Sequence, residues 1–245
     1  MSTEVVGTDS FPPLLTAVCA ASIAIAVLCA AVLVVDVARR PQPMRVMNAV
    51  WPLTALFGGI PWLAFYYRWA RAARPGGPAR VMTADRPRSV GIAISTSHCG
   101  AGCALADLIV EWLVFAVPAL AVIGGLHLIF DERTFATWVL DFAAAFLVGI
   151  AFQYAAISSG RSVRRRDAVA AAIKADAASI AAWQLGMYGA MAAAQFAIFR
   201  PLLGGTASVA SPEFWFAMQW AMIVGFATAY PVNALLIRQG VKEAM

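Results

Sequence analysis

Residues Leu14–Val35 read LLTAVCAASIAIAVLCAAVLVV, a stretch with no charged side chain. A helix of about 20 mostly apolar residues is long enough to cross the ~30 Å hydrocarbon core of a bilayer. The stretch therefore predicts a transmembrane helix. Glu4 and Asp9 precede it and no Lys or Arg does, so it lacks the basic region of a cleaved signal peptide and we expect the span to be retained.

The rest of the chain repeats this pattern. Of the 245 residues, 62% are hydrophobic and 13% are charged, a composition that suits lipid rather than water as the surrounding solvent. Further helices are predicted at Met47–Tyr67, Ala104–Ile129, Phe135–Ile157, Ala168–Phe199 and Phe214–Ile237. The sequence thus predicts an all-α, polytopic transmembrane helical bundle of about six spans, with residues 1–245 forming a single integral membrane domain. The lipid bilayer is the expected partner, and nucleic acid is not.

The second segment contains a pattern that interrupts helices. Its core, WPLTALFGGIPW at Trp51–Trp62, places two prolines around Gly58 and Gly59, so we expect a kinked or broken helix. A kinked full crossing and a re-entrant hairpin are both compatible with this pattern. Because 21 largely apolar residues are long enough to cross, the full crossing is the preferred interpretation.

Charge placement bears on the same choice. Basic residues cluster in the loop 68–91, in 158–166 and near the C-terminus at Arg238 and Lys242, and the positive-inside rule places such clusters in the cytoplasm. Six full spans satisfy this with both termini inside but leave Arg39, Arg40 and Arg45 outside. A re-entrant second segment would bring every basic cluster to the inside.

The candidate site lies in STSHCGAGC, residues Ser95–Cys103, and just after it. In a helix, Cys99, Cys103, Asp107 and Glu111 are four residues apart and share one face. Together with His98 they give a candidate metal site, and thiolate and imidazole ligands suit zinc or copper(I). Two alternatives stay open: the cysteines and glycines serve helix packing, or Cys99 and Cys103 form a reversible disulfide.

Several other polar or sulfur-containing side chains lie within the predicted spans. Ionisable residues inside a membrane usually face a cavity or a partner, although a position at a helix end would also explain some of these. The intramembrane candidates are Asp141, Gln153, Asp176, Met187 and Met191. The thioethers could carry copper(I), although methionine is also a common gap-filler in apolar bundles.

Four motifs resemble a known family. They are MNAVWP at Met47–Pro52, SHCGAGCALAD at Ser97–Asp107, DFAAAFLVGIAFQY at Asp141–Tyr154, and AIKADAAS followed by GMYGAM at Ala172–Met191. They are similar to the bacterial membrane proteins grouped as domain of unknown function 4396, over about residues 45–200. The resemblance implies a multi-pass helical protein of the bacterial inner membrane and brings no assigned activity.

Three functional hypotheses follow. The first is binding or transport of a soft transition-metal ion, copper or zinc, at His98, Cys99, Cys103, Asp107 and Glu111. The second is thiol redox chemistry with Cys99 and Cys103, and the third is a non-catalytic assembly subunit with a homo-oligomeric or other membrane partner. The chain has no phosphate-binding loop, HExxH pair or nucleophile elbow, so a non-enzymatic role is favoured and no catalytic residue is predicted.

Overall fold

The computed structural model of the protein describes residues 5–7, 10–73, 86–158 and 165–242. The basic residues predicted at 74–85 and 159–164 lie outside these ranges. The helices are α1 Pro13–Arg39, α2 Met47–Phe65, α3 Arg88–Ala116, α4 Arg133–Ser158, α5 Arg165–Ala192, α6 Arg200–Leu203 and α7 Pro212–Arg238, with π-helical turns at Tyr66–Ala70 and Ala193–Phe199 and a 3-10 helix at Pro118–Val122. A short parallel pair joins β1 Val5–Val6 to β2 Thr206–Ala207.

Five helical segments of the described residues are long and apolar enough to cross a membrane. They are Pro13–Arg39, Met47–Ala70, Arg88–Ala116, Arg133–Ala156 and Pro212–Arg238. The predicted all-α, multi-pass membrane fold is confirmed. Helix α5 is not one of the five, since it is rich in alanine and carries charges in its first half, but it packs against α3, α4 and α7 in the bundle.

The third helix differs from its predicted bounds of Ala104–Ile129. It begins at Arg88 and ends at Ala116, so the whole His–Cys segment is helical. Thr96 and Ser97 donate their hydroxyl hydrogen bonds to the carbonyl oxygens of Ile92 and Ala93, at 2.8 and 2.9 Å. This satisfies polar groups inside a buried helix. Pro118 then ends the helix, because the residue before a proline is driven toward extended geometry.

The second segment is broken at Gly59, whose φ of 51° and ψ of −136° are not helical. The rings of Trp51 and Tyr66 lie 5.4 Å apart, whereas a continuous helix would separate these positions by about 22 Å along its axis. The chain must therefore reverse direction at Gly59. The predicted break is confirmed, and the contacts favour the re-entrant hairpin over the full crossing that we preferred.

The two ends of the bundle differ in charge. At one end, Asp36 of α1 forms an ion pair with Arg71 at 2.6 Å, and Tyr230 of α7 donates to the backbone oxygen of Ser89 at 3.2 Å. The accepting carboxylate of Asp36 raises the pKa of Arg71, which keeps this guanidinium charged. We call this the basic end; it carries Arg39, Arg40, Arg68, Arg71, Arg88 and Arg238.

The opposite end, which we call the cavity end, holds the β1–β2 pair, the last turn of α3 and the first turn of α4. Because Val5 and Thr206 meet there, the start of α1 lies at the cavity end and its Arg39 lies at the basic end. Both sides of the hairpin then return to the basic end. The positive-inside rule predicts that the basic end faces the cytoplasm, and Arg39 and Arg40 lie at this end with the other basic residues.

Candidate functional site

Helix α3 aligns the predicted metal-site residues along the interior of the bundle. We call His98, Cys99, Cys103, Asp107 and Glu111 the polar stripe. All five side chains are buried, with His98, Cys103 and Asp107 at 0% exposure. His98 lies about 15 Å of helical rise from Arg88 at the basic end, and a further rise of about 20 Å separates it from Glu111 at the cavity end. The polar stripe therefore extends through most of the hydrocarbon depth.

The glycines of the His–Cys segment serve helix packing. A Cβ added at Gly100 would lie 2.2 Å from the Trp183 ring of α5, and one at Gly102 would lie 3.0 Å from the Cα of Gly149 in α4. Both positions allow neighbouring helices to approach closely, as small residues do in membrane bundles. The helix stays continuous through these positions, so the glycines do not bend the backbone to turn both sulfurs toward one ion.

Three buried carboxyl groups lie together in the cavity-end half of the polar stripe. Asp107, Glu111 and Asp141 of α4 are close enough for their charges to act on one another. Gln184 of α5 donates its amide hydrogen to Asp107 at 3.2 Å. Among the described residues, the other Asp107 oxygen, both Asp141 oxygens and the Gln184 amide oxygen are buried without a hydrogen-bond partner. We call Asp107, Glu111 and Asp141 the carboxylate cluster.

Tyr188 of α5 lies near the carboxylate cluster. Its hydroxyl donates to the backbone oxygen of Trp138 at 2.9 Å, and the two rings stack with centroids 4.8 Å apart. The phenol is close enough to interact electrostatically with Asp107 and Asp141. The hydrogen bond and the stacked ring of Trp138 fix the orientation of Tyr188 beside the cluster.

A cavity of about 520 Å3 opens beside Glu111 at the cavity end. Its polar lining includes Glu111, Asp131, Arg133 and Gln195, and Arg133 donates to the backbone oxygen of Val114. Gln195 is held in turn by the backbone N–H of Ala207, which donates to its side-chain oxygen at 2.7 Å. Glu111 therefore belongs both to this cavity and to the buried carboxylate cluster.

A second buried polar group lies at the other end of the polar stripe. Both ring nitrogens of His98 lack a hydrogen-bond partner within the described part of the chain, and the imidazole interacts electrostatically with Asp176 and Lys242. Lys242 forms a fully buried ion pair with Asp176 and donates to the Asn233 side-chain oxygen at 2.8 Å. The predicted candidate Asp176 is thus interior and paired, rather than at a helix end facing lipid headgroups.

The predicted metal residues do not converge on one point. Among the described residues, no group of three or more His, Cys, Asp and Glu side chains is arranged to hold a metal ion. The four cysteines are free and buried, and Cys99 and Cys103 interact through their thiols on adjacent turns of α3. The structure thus distributes the predicted ligands along the polar stripe instead of gathering them into a single site.

The remaining sequence candidates are also buried. Asp141 belongs to the carboxylate cluster, and Gln153 lies about 18 Å farther along α4 by helical rise, toward the basic end, with its amide oxygen unpartnered. Met187 and Met191 pack in the same buried core as Cys99 and Cys103. Met218 and Met222 of α7 belong to this core too.

Sequence reasoning missed several polar residues of the interior. They are Ser179, Gln184, Tyr188, Glu213, Asn233 and the buried position of Lys242. Glu213, for example, accepts a hydrogen bond from Thr16 of α1 at 2.5 Å. Regular polar spacing along α5, with Asp176, Gln184 and Tyr188 four or eight residues apart, is a signal that could have identified one polar face.

Comparison with known proteins identifies a family without an assigned activity. No curated protein and no solved structure matches the chain. The family described as a domain of unknown function, DUF4396, matches residues 90–242, which include the whole polar stripe, Asp176 and Lys242. The match overlaps the predicted region of similarity at residues 90–200, continues beyond it, and leaves out MNAVWP. The chain therefore belongs to the DUF4396 family.

Proposed function

We propose that this multi-pass membrane protein binds a cation in the carboxylate cluster and moves it along the polar stripe between the two sides of the membrane. The observation that carries the proposal is the carboxylate cluster, in which none of the three groups forms an ion pair with a described residue. Buried carboxylates need compensation by protons or by a bound cation. A binding function supplies that compensation.

The position of Glu111 in the wall of the cavity supports transport rather than storage of a cation. Glu111 lines the 520 Å3 cavity at the cavity end, and the polar stripe continues from it toward His98. A cation entering the cavity would meet Glu111 first and then Asp107 with Asp141. Sites that bind weakly and in series favour passage, because an ion must be able to leave each of them.

The donor types favour a transition-metal ion. Zinc accepts carboxylate, thiolate and imidazole ligands, so each position of the polar stripe offers it a suitable donor. Series of partial sites along one helix also agree with the lack of a three-ligand cluster among the described residues. Zinc is therefore the first ion to test.

Copper(I) is a second candidate, favoured by one specific observation. Six sulfur-bearing side chains share the buried core beside the polar stripe: Cys99, Cys103, Met187, Met191, Met218 and Met222. Thiolate and thioether ligands are the soft donors that copper(I) prefers. A Cys99→Ser/Cys103→Ser double variant separates the two ions, because it removes the thiols and keeps the carboxylate cluster.

The two other hypotheses have less support. Thiol exchange with a partner requires an accessible sulfur, and Cys99 and Cys103 are almost completely buried. An assembly subunit would not need unpaired carboxyl groups in its interior. It predicts that Asp107→Asn and Asp141→Asn leave every transport measurement unchanged.

Flux into proteoliposomes tests the proposal. We would load vesicles with a zinc-sensitive or copper-sensitive dye, or with a pH dye in metal-free buffer, and compare the wild type with Asp107→Asn and Asp141→Asn. Asp167→Asn neutralises an exposed carboxylate on α5 and serves as the matched control. We expect flux of one cation to fall at least about tenfold in both cluster variants and to persist in the control. Equal flux in all four proteins, or no flux above empty vesicles, would contradict the proposal.

A further inference from the structure

The segment after α7 folds back into the bundle. Gly240 has a φ of +68°, a conformation that glycine adopts readily. This turn lets the backbone N–H groups of Val241 and Lys242 donate to the carbonyl oxygen of Leu236, at 3.0 and 3.3 Å. The turn aims the side chain of Lys242 into the interior, where it is fully buried.

The Lys242 ammonium group is held by oxygen atoms that would equally hold a free cation. It pairs with Asp176 and donates to the Asn233 oxygen at 2.8 Å. Asn233 is oriented by its own amide hydrogens, which donate to the Ser179 hydroxyl at 2.6 Å and to the Ala229 carbonyl at 3.0 Å. The Asn233 oxygen is therefore fixed in place whether or not the ammonium group is present.

Asp176, Asn233 and His98 together have hydrogen-bonding atoms that Lys242 does not use. The second Asp176 oxygen and both His98 nitrogens are buried and form no hydrogen bond with a described residue. Lys242 contacts Asp176 of α5 and Asn233 of α7 directly, and His98 of α3 interacts electrostatically with Asp176 and Lys242. A metal ion could take imidazole and carboxylate ligands here that an ammonium ion leaves unused.

We infer that Asp176, Asn233 and His98 form an inner cation site that Lys242 occupies as a tethered competitor. An ion that arrives along the polar stripe displaces the ammonium group, binds these side chains, and leaves when Lys242 returns. The inference rests on the proposed function and identifies its exit site. It also explains why a lysine, which is almost never fully buried without a partner, is enclosed in a membrane domain.

Acylation of the wild-type protein tests the displacement. The sequence contains two lysines, Lys242 and the exposed Lys174, so mass spectrometry of amine-labelled protein measures both in one sample. We expect Zn2+ to raise the labelling rate of Lys242 at least about fivefold through a shift toward the displaced state. Lys174, and samples with Na+ at equal ionic strength, should show no change. A rate for Lys242 that Zn2+ does not alter would overturn the inference.

Three variants locate the displacing ion. His98→Ala removes one inner ligand, so Zn2+ should no longer raise Lys242 labelling. Lys242→Met should increase zinc affinity measured by equilibrium dialysis, and Lys242→Met/Asp176→Asn should remove that increase. Unchanged affinity in Lys242→Met would also count against the inference, and the wild-type labelling decides the question if that variant fails to fold.

The flux assay separates this inference from the proposed function. Zinc flux that is abolished by Asp107→Asn, with Lys242 labelling indifferent to Zn2+, supports transport and refutes the inner site. Zinc-dependent labelling without flux supports the inner site and refutes transport. If neither zinc flux nor zinc-dependent labelling is observed, the proposed function and the inner site are both refuted.

Discussion

Five of the six carboxylates that lie buried among the described residues fall into two groups, and the difference between them bears on stability and on the proposed function. The sixth, Glu213, accepts a hydrogen bond from Thr16. Toward the basic end, Asp36 is paired with Arg71 and Asp176 with Lys242. In the carboxylate cluster, Asp107, Glu111 and Asp141 form no ion pair with a described residue. Removing one partner destabilises a buried ion pair, and an unpaired buried carboxylate destabilises the fold unless a proton or cation is bound. The proposed cation binding would supply that compensation to the second group.

The largest effect on stability should come from breaking the most buried pair. Lys242→Met leaves the Asp176 carboxyl group without its cation, and the loss of one partner of a buried ion pair costs about 3–5 kcal/mol. The double variant Lys242→Met/Asp176→Asn should recover most of this loss. Reversible unfolding in mixed detergent micelles measures both. Equal destabilisation in the single and double variants would mean that the pair adds no coupling energy.

A direct comparison of one paired and one unpaired carboxylate should give opposite results. Asp36→Asn weakens charged hydrogen bonds from Arg71 and Tyr66 and should lower the free energy of unfolding by about 1.5–3 kcal/mol. Asp107→Asn removes a charge that has no cationic partner, so stability should stay within about 0.5 kcal/mol or increase. The same unfolding measurement applies. A larger loss of stability for Asp107→Asn than for Asp36→Asn would contradict the proposed difference between paired and unpaired carboxylates.

The free energy of unfolding should be less sensitive to changes in helix packing beside the polar stripe. Gly102→Ala places a methyl group 3.0 Å from the Gly149 backbone, so α3 and α4 must separate, at an expected loss of about 1–3 kcal/mol. Gly189→Ala in α5 is the matched control, because nothing lies within 4 Å of the added Cβ. The control should gain about 0.5 kcal/mol from helix propensity. Similar changes in both variants would show that the close contact is unimportant.

The smallest effect is expected at the hairpin reversal. Gly59 has a positive φ of 51°, and an alanine there should lose about 1 kcal/mol from backbone strain. Gly58→Ala offers a contrasting neighbour, since its added Cβ would meet the Trp62 ring at 2.5 Å and should disturb packing instead. Unfolding of the two variants distinguishes them. A stabilising Gly59→Ala change would argue against the reversal at this residue.

The sequence predicts the local parts of this fold better than the distant contacts. The apolar stretch at Leu14–Val35, the break at Gly58–Gly59 and the face shared by Cys103 and Asp107 all follow from composition or helical spacing. The start of α3 at Arg88 was missed because a polar run resembles a loop until Thr96 and Ser97 bond to their own helix. Local patterns left a kinked crossing and a re-entrant hairpin both open, and the contact between Trp51 and Tyr66 is what favours the reversal at Gly59.

The candidate site shows the same difference between local sequence patterns and contacts between distant residues. Its ligands on α3 were found by their spacing, whereas the contact of Gln184 with Asp107 depends on how α5 packs against α3. The enclosure of Lys242 was missed for a related reason, since a lysine near a helix end ordinarily extends toward water. Its true partner, Asp176, lies far away in the sequence. Such contacts become visible only when the helices are assembled.

Equilibrium binding of radioactive Zn2+ to the purified protein tests the central claim most directly. The wild type, Asp107→Asn/Asp141→Asn and the exposed-site control Asp167→Asn would be dialysed side by side in mild detergent, with copper(I) under reducing conditions as a parallel series. The account predicts saturable Zn2+ binding to the wild type and the control, with the share held by the carboxylate cluster lost in the double variant. Equal binding in all three proteins, or no binding of either ion to the wild type, would contradict the assignment of a metal cation to the carboxylate cluster.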